Sequence, residues 1–212
     1  ITKDGTKMSK SKGNTVSPDK FIDQYGSDTF RAYLMFMGPF DEGGDWNDKG
    51  ITEIYRFLGK VWRLCLNSNE SNTLSKDDNI IINKTIKGVT NDLKAMKFNT
   101  AISKLMEYVN NFTGKDEIHV NVKKVLIELL SPIAPHLSEE LWSEIGEKNS
   151  VFDEKWPIYD EKLTIDNIAT IVIQVNGKVR GKIEAGINAK KDEIIILAKS
   201  NKNVENYIID KD

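Results

Sequence analysis

Hydrophobic periodicity changes once along this chain, and that change restricts the folds open to it. From about residue 47 to residue 145 apolar residues recur every three or four positions; near 169–184 they alternate and are largely β-branched. The first pattern is plainest over 47–67, where Ile51, Ile54, Tyr55, Leu58, Val61, Trp62 and Cys65 fall on one stripe. Arg56, Lys60 and Arg63 share the other face of that helix. Further helical patterns cover about 76–95, 98–113 and 116–130, with NSNESNTLSKDD as a polar connection. Pro132 stops the last of these, and Pro135 opens another helix through Ile145. Four or five amphipathic helices with short links form an antiparallel bundle.

The alternating stretch TIVIQVNGKVRGKIEAG predicts strands near 169–175 and 178–184 around Asn176-Gly177, a strong hairpin signal. Helices at about 190–199 and 201–209 would complete a small α+β unit. Before the bundle, residues 1–16 read as a loop. Ser17 is placed to cap a helix with Pro18 in its first position, Gly26 interrupts it, and Ser27-Asp28 restart it through Met37. Gly38-Pro39 ends that helix, and PFDEGGDW is a loop. The expected class is therefore mainly α: an antiparallel helical bundle followed by a small α+β domain. The expected division is 1–45, the opening loop and connecting helices; 46–150, the bundle; and 151–212, the α+β domain reached through the linker-like KWPIYDEKL.

A hydrophobic content of 39% and a charged content of 29% suit a globular chain. No run approaches the roughly 18 apolar residues of a membrane helix, and the start carries no signal-peptide core. Cys65 is the only cysteine, which excludes an internal disulfide and suits a reducing compartment. With only His119 and His136 besides, a Cys/His zinc site is excluded, and no metal ligands are assigned. The net charge of −2 argues against nucleic acid, but the charge is segregated. Residues 1–20 carry five lysines against Asp4 and Asp19, and 176–191 carry Lys178, Arg180, Lys182, Lys190 and Lys191 against Glu184.

The opening GTKMSKSKGN cannot pack, yet lysines among small residues can fold over a polyphosphate. A mobile ammonium beside a leaving pyrophosphate stabilises the transition state more than the ground state. A solvated linker would have the same composition. The string itself discriminates: KMSKS, residues 7–11, resembles in all five letters the signature of class I aminoacyl-tRNA synthetases. The wider KMSKSKGNTVSPDKFIDQYGSDTFRAYLMFMGP, KFNTAISKLMEYVNNF, LLSPIAPHLSEELW and QVNGKVRGKI resemble, in this order, the leucyl-tRNA synthetase family.

That resemblance implies an ATP-binding role for Lys7, Met8, Ser9, Lys10, Ser11 and Lys12. Lys10 is the expected catalytic contact to the β/γ-phosphates, and Ser9 and Ser11 shape the loop or donate to the nucleotide. Met8 packs under the adenine or anchors the loop. In the family, leucine attacks the α-phosphate of ATP with Mg²⁺ present, and the leucyl group then passes to the terminal 2′-hydroxyl of the tRNA. ATP and Mg²⁺ belong to that whole enzyme, and neither is expected on this chain alone. The family's HIGH-type motif does not occur in these residues. The chain thus reads as a C-terminal piece, inactive by itself, with any editing insertion upstream and its last domain short of some strands.

The resemblance makes the bundle an anticodon-binding-type domain contacting the stem of tRNA(Leu), with Arg56, Lys60 and Arg63 on phosphates. The hairpin is the stronger RNA candidate: Lys178, Arg180 and Lys182 alternate, which would align them on one face. Cations guarding an edge strand would give the same pattern. Implied partners are tRNA(Leu), leucine and ATP, with no membrane; a cytoplasmic monomer is expected. Rivals are the isoleucyl, valyl and methionyl enzymes, or a stand-alone RNA-binding module. Among the remaining residues, His136 is expected to fix a helix start, Trp62 and Trp142 to fill the core, and Trp46 to cap the long helix.

Overall fold

Asn47 adopts an extended backbone and its side chain accepts the Lys49 amide at 2.8 Å, so the long helix α3 begins at Asp48 and runs to Leu66. A computed structural model describes residues 1–165, 168–186 and 189–208 of the chain, in two compact units that part between Thr164 and Ile165.

In the first unit α1 (Pro18–Tyr25), α2 (Ser27–Phe36) and α3 are followed by α4 (Lys76–Lys94), α5 (Phe98–Phe112), α6 (Val120–Leu130), α7 (Pro135–Glu144) and the short α8 (Glu161–Thr164). Ile51, Ile54, Ile102, Leu105, Leu126, Ile127, Leu130 and Leu141 are fully buried in one core. Phe21 and Tyr33, from the expected segment 1–45, enter the same core as Trp46 and the bundle, so the segments 1–45 and 46–150 share one compact unit. Trp46 sits edge-on to Phe21 and Tyr33, with ring centroids 4.8 and 5.0 Å away, and donates Nε1–H to Asp48 in the first turn of α3. Trp46 thus serves as the expected cap contact.

Several expectations need correction. Residues 1–16 are not a plain loop: β1 (Thr2–Lys3) and β2 (Thr6–Lys7) form a hairpin, and β3 (Asp45–Trp46) adds to β1 in parallel. Asp4 and Gly5 turn it with φ of 52° and 70°, the left-handed pair that a tight hairpin turn requires. The expected helix 116–130 starts only at Val120, because Glu117–His119 form a strand, β5, that pairs in parallel with β4 (Asn69–Ser71). His119 then caps α6, its Nδ1 accepting the Asn121 amide at 3.1 Å. Residues 151–164 join the first unit rather than the second. Val151 is buried in its core, Trp156 Nε1 donates to Thr90 Oγ1 at 2.8 Å, the Asp160 amide donates to Asn83 Oδ1 at 2.7 Å, and Lys87 pairs with Glu161 at 2.7 Å.

In the second unit β6 (Ile168–Val175) and β7 (Lys178–Gly186) pair antiparallel around Asn176 and Gly177, both at positive φ. Helices α9 (Lys191–Lys199) and α10 (Lys202–Ile208) follow, and Ala185 and Val204 are buried. A Cβ on Gly181 would lie 3.1 Å from both Asn201 Oδ1 and Val204 Cγ2, so glycine there lets α10 approach the strand. The expected extension of the last helix to 209 and the tail 210–212 lie outside the described residues, as do 166–167 and 187–188.

Candidate nucleotide and RNA interfaces

The lysine-rich string is an exposed turn held by its own backbone. Met8 is half-buried against the core, which makes it the anchor of the loop. Ser9 is extended; Lys10–Lys12 then form one 3₁₀ turn, with the Lys12 amide on the Ser9 carbonyl at 3.1 Å. Gly13 closes it at φ 65°, donating to the Lys10 carbonyl at 3.2 Å. Ser9 Oγ and Ser11 Oγ lie 2.6 Å apart, so the two serines bond each other. Lys7, Lys10 and Lys12 are exposed, and no carboxylate pairs with them among the described residues. Three unpaired ammonium groups around one small turn can meet a polyphosphate.

Asn14 organises this turn and was missed in the sequence. Its Oδ1 accepts the Ser9 amide at 2.8 Å, and its Nδ2 donates to the Lys7 carbonyl at 3.3 Å, so it joins both arms of the loop. The available signal was an Asn directly after a glycine, the residue type that bonds local backbone in turns. On the opposite side of β1, Asp45 accepts from Thr2 Oγ1 at 2.6 Å and from the Gly5 amide at 3.1 Å. These bonds, the hydroxyl first, hold its carboxyl below the usual range.

Arg56, Lys60 and Arg63 lie exposed on α3, as its period dictates. Arg56 pairs with Glu53 at 2.6 Å, and Lys60 reaches Asn110 Oδ1 at 3.4 Å. The core stripe of α3 is rotated from the expected one: Phe57 and Leu64 are buried, whereas Tyr55 is 52% and Trp62 37% exposed. Tyr55 and Trp62 instead wall a groove of about 510 Å³ between α3, the α1–α2 junction and the start of α7. Arg56, Arg63 and His136 border it. There Asp28 of α2 accepts from the Leu137 amide at 2.7 Å and lies 2.8 Å from His136 Nδ1, capping α7 from outside that helix. His136 therefore fixes a helix start, as expected, and Trp142 is a core residue; Trp62 is not.

In the second unit the three hairpin cations do not share a face. Val175 pairs with Lys178 and Gln174 with Val179, but Ile173 pairs with Gly181 and Val172 with Lys182. Arg180 is thus the extra residue of a bulge, which reverses the alternation and puts Lys178 and Lys182 on opposite faces. Arg180 packs on α10, its guanidinium carbon 3.9 Å from the Tyr207 ring centroid and Nη1 donating to Tyr207 Oη at 3.0 Å. Lys178 and Lys182 remain exposed.

Comparison with known proteins accords with this architecture. Residues 81–196 match the family described as the anticodon-binding domain of tRNA ligase, and residues 1–46 match tRNA synthetases class I (I, L, M and V). The crystal structure of the ternary complex of Agrobacterium radiobacter K84 agnB2 LeuRS-tRNA-LeuAMS is similar, with a TM-score of 0.75 and 28% identity. That match covers 98% of this chain and 30% of the LeuRS chain, so the chain spans under a third of that relative's length. By the match over more than half its length, the chain belongs to the family of anticodon-binding domains of tRNA ligase.

Proposed function

We propose that this chain is the part of a leucyl-tRNA synthetase that carries the KMSKS loop and the tRNA-docking surfaces. The enzyme would activate leucine with ATP to leucyl-adenylate and transfer it to tRNA(Leu). The observation carrying this reading is the complete KMSKS string, which leads from β2 into an exposed 3₁₀ turn that Asn14 cinches, within a segment matching class I synthetases. The turn projects Lys10 into solvent while Met8 holds its base. Lys10 would meet the β/γ-phosphates as charge develops on the leaving pyrophosphate; Lys7 and Lys12 would add field, and Ser9 and Ser11 would keep the turn tight. Mg²⁺ would enter with the nucleotide. Docking of tRNA would use the α3 cations together with Lys178 and Lys182. The enzyme would work as a cytoplasmic monomer. The likeness to LeuRS at 28% identity favours leucine over the isoleucyl, valyl and methionyl readings that the class match also spans.

The test is pre-steady-state adenylate formation by the enzyme encoded by the whole reading frame. Lys10→Ala should slow that step by roughly 10²–10³-fold, as removal of one charge-stabilising donor does, with leucine binding nearly unchanged. An unchanged rate would remove Lys10 from the mechanism. Pyrophosphate exchange driven by isoleucine, valine or methionine but not leucine would replace the substrate.

A further inference from the structure

We propose that the groove between α3, the α1–α2 junction and the start of α7 is a stacking pocket for an unpaired nucleobase of the bound tRNA. The inference rests on the tRNA-docking reading and adds to it a site for a base, where the α3 cations alone offer only phosphate contacts.

Helix spacing builds the pocket. Tyr55, Gly59 and Trp62 stand at i, i+4 and i+7 on α3, one face of the helix. Two exposed aromatic rings therefore flank a residue with no side chain. The Arg63 guanidinium folds back over that gap: a Cβ on Gly59 would sit 3.4 Å from its Nη1. Tyr25 meets Tyr55 edge-on at 5.6 Å, and its hydroxyl lies 3.4 Å from Thr52 Oγ1, so the Tyr55 wall is braced. At about 510 Å³ the groove falls within the roughly 300–1,000 Å³ of ligand sites.

The polar groups select the occupant. Asp28 is the one carboxylate among the described lining residues, and it is 8% exposed, with its oxygens turned to His136 and the Leu137 amide. Arg56, Arg63 and His136 then leave a donor-rich rim around aromatic faces. With Glu53 turned to Arg56 and Asp28 to His136, no free carboxylate among the described lining residues is left for a cationic ligand. Aromatic and guanidinium planes beside phosphate-binding cations are how single bases of RNA are held. Arg63 also borders a second groove, of about 440 Å³, with Lys60 on its wall, which gives the flanking phosphates a path away from the pocket.

The experiment titrates a leucine tRNA transcript into the 212-residue chain, followed by anisotropy and tryptophan emission at several salt concentrations. Tyr55→Ala and Trp62→Ala should each weaken binding about tenfold, the scale of one lost base stack, and leave the salt slope unchanged. Trp62→Phe should keep most of the affinity. Gly59→Leu, which fills the gap and removes neither ring nor charge, should weaken binding as Trp62→Ala does. Wild-type affinity in both Trp62→Ala and Gly59→Leu would overturn the pocket while leaving tRNA docking intact. Failure of the wild-type chain to bind the tRNA even at low salt would overturn the docking reading itself. Self-association lost in Trp62→Ala, without any effect on tRNA affinity, would assign the groove to a second copy of the chain.

Discussion

Removing the Asp28 carboxylate should cost the first unit more than any other single polar change at the groove. Helix α7 begins with Ala134 at its cap, a residue with no side-chain acceptor. The third amide of the helix, Leu137 N–H, is satisfied instead by Asp28 Oδ2 at 2.7 Å from a residue 109 positions away. Asp28 is 8% exposed and Leu137 half-buried, so Asp28→Ala takes the partner from a half-buried donor and removes an anion from the positive end of α7. A bond to a charged group is worth about 1.5–3 kcal/mol. The second bond, to His136 Nδ1, ends on a side chain that is 77% exposed, and screening holds its share to under about 1 kcal/mol. The total for Asp28→Ala is about 2–3 kcal/mol, against about 1 for Asp28→Asn, which keeps an acceptor for the amide. Trp46, Trp62, Trp142 and Trp156 are the chain's four tryptophans and all lie in the first unit, so emission excited at tryptophan wavelengths reports its unfolding alone. The urea midpoint for Asp28→Ala should fall by about 1 M at unchanged slope. A loss below about 0.5 kcal/mol would refute the capping argument, because that is the scale of an ordinary surface substitution.

Three further outcomes follow from other parts of the structure. Burial, helped by Glu154, pushes Glu128 up from 4.5 to about 7, so between those pH values the folded chain holds a proton that the unfolded chain has released. Stability of the first unit should fall as pH rises through that window, by about 1 kcal/mol after solvent screening at a half-exposed carboxyl. Glu128→Gln should flatten the profile in urea titrations at pH 5 and pH 7; an unchanged slope would refute the assignment. In the second unit, Arg180→Ala should destabilise the hairpin by about 1–2 kcal/mol through loss of its stacking on Tyr207, read as faster amide exchange of β7. Lys178→Ala with Lys182→Ala should leave exchange unchanged and lower the salt slope of tRNA binding by about 2. The opposite pattern would restore Arg180 to the RNA face.

Much of this structure was legible in the residues. Helix limits at Asp48, Lys76, Phe98 and Pro135 follow from apolar spacing, caps and prolines, which act locally. The misreadings share a physical origin. Strands of two or three residues, such as Asn69–Ser71 and Glu117–His119, are too short for a period and exist only because a distant partner completes their ladder. Tyr55 and Trp62 are apolar enough to join the α3 stripe, but their large rings lie at its flank and tolerate water at one edge. Alternation over 178–182 was real in sequence and false in space, since the bulge at Arg180 shifts the register and is set by pairing with β6, which strand periodicity does not encode. The loop lysines were evident; the Asn14 side chain that sets their turn was hidden by its ordinary appearance in a polar string.

The parallel clasp between β4 and β5 bears on the order in which the chain acquires its shape. It pairs Asn69 with Glu117, so direct closure confines a segment of 48 residues and costs about 3.4 kcal/mol in chain entropy beyond a constant. The α4–α5 hairpin lies within that segment, and Lys115 pairing with Asp78 brings its two open ends together. Once those helices have met, only about eight flexible residues remain to be closed, and the cost drops to about 1.8 kcal/mol. Local zipping of α4 on α5 therefore lowers the barrier to the distant strand pairing by about 1.6 kcal/mol. The two-helix excursion acts as its own template for the seam that joins α3 to α6.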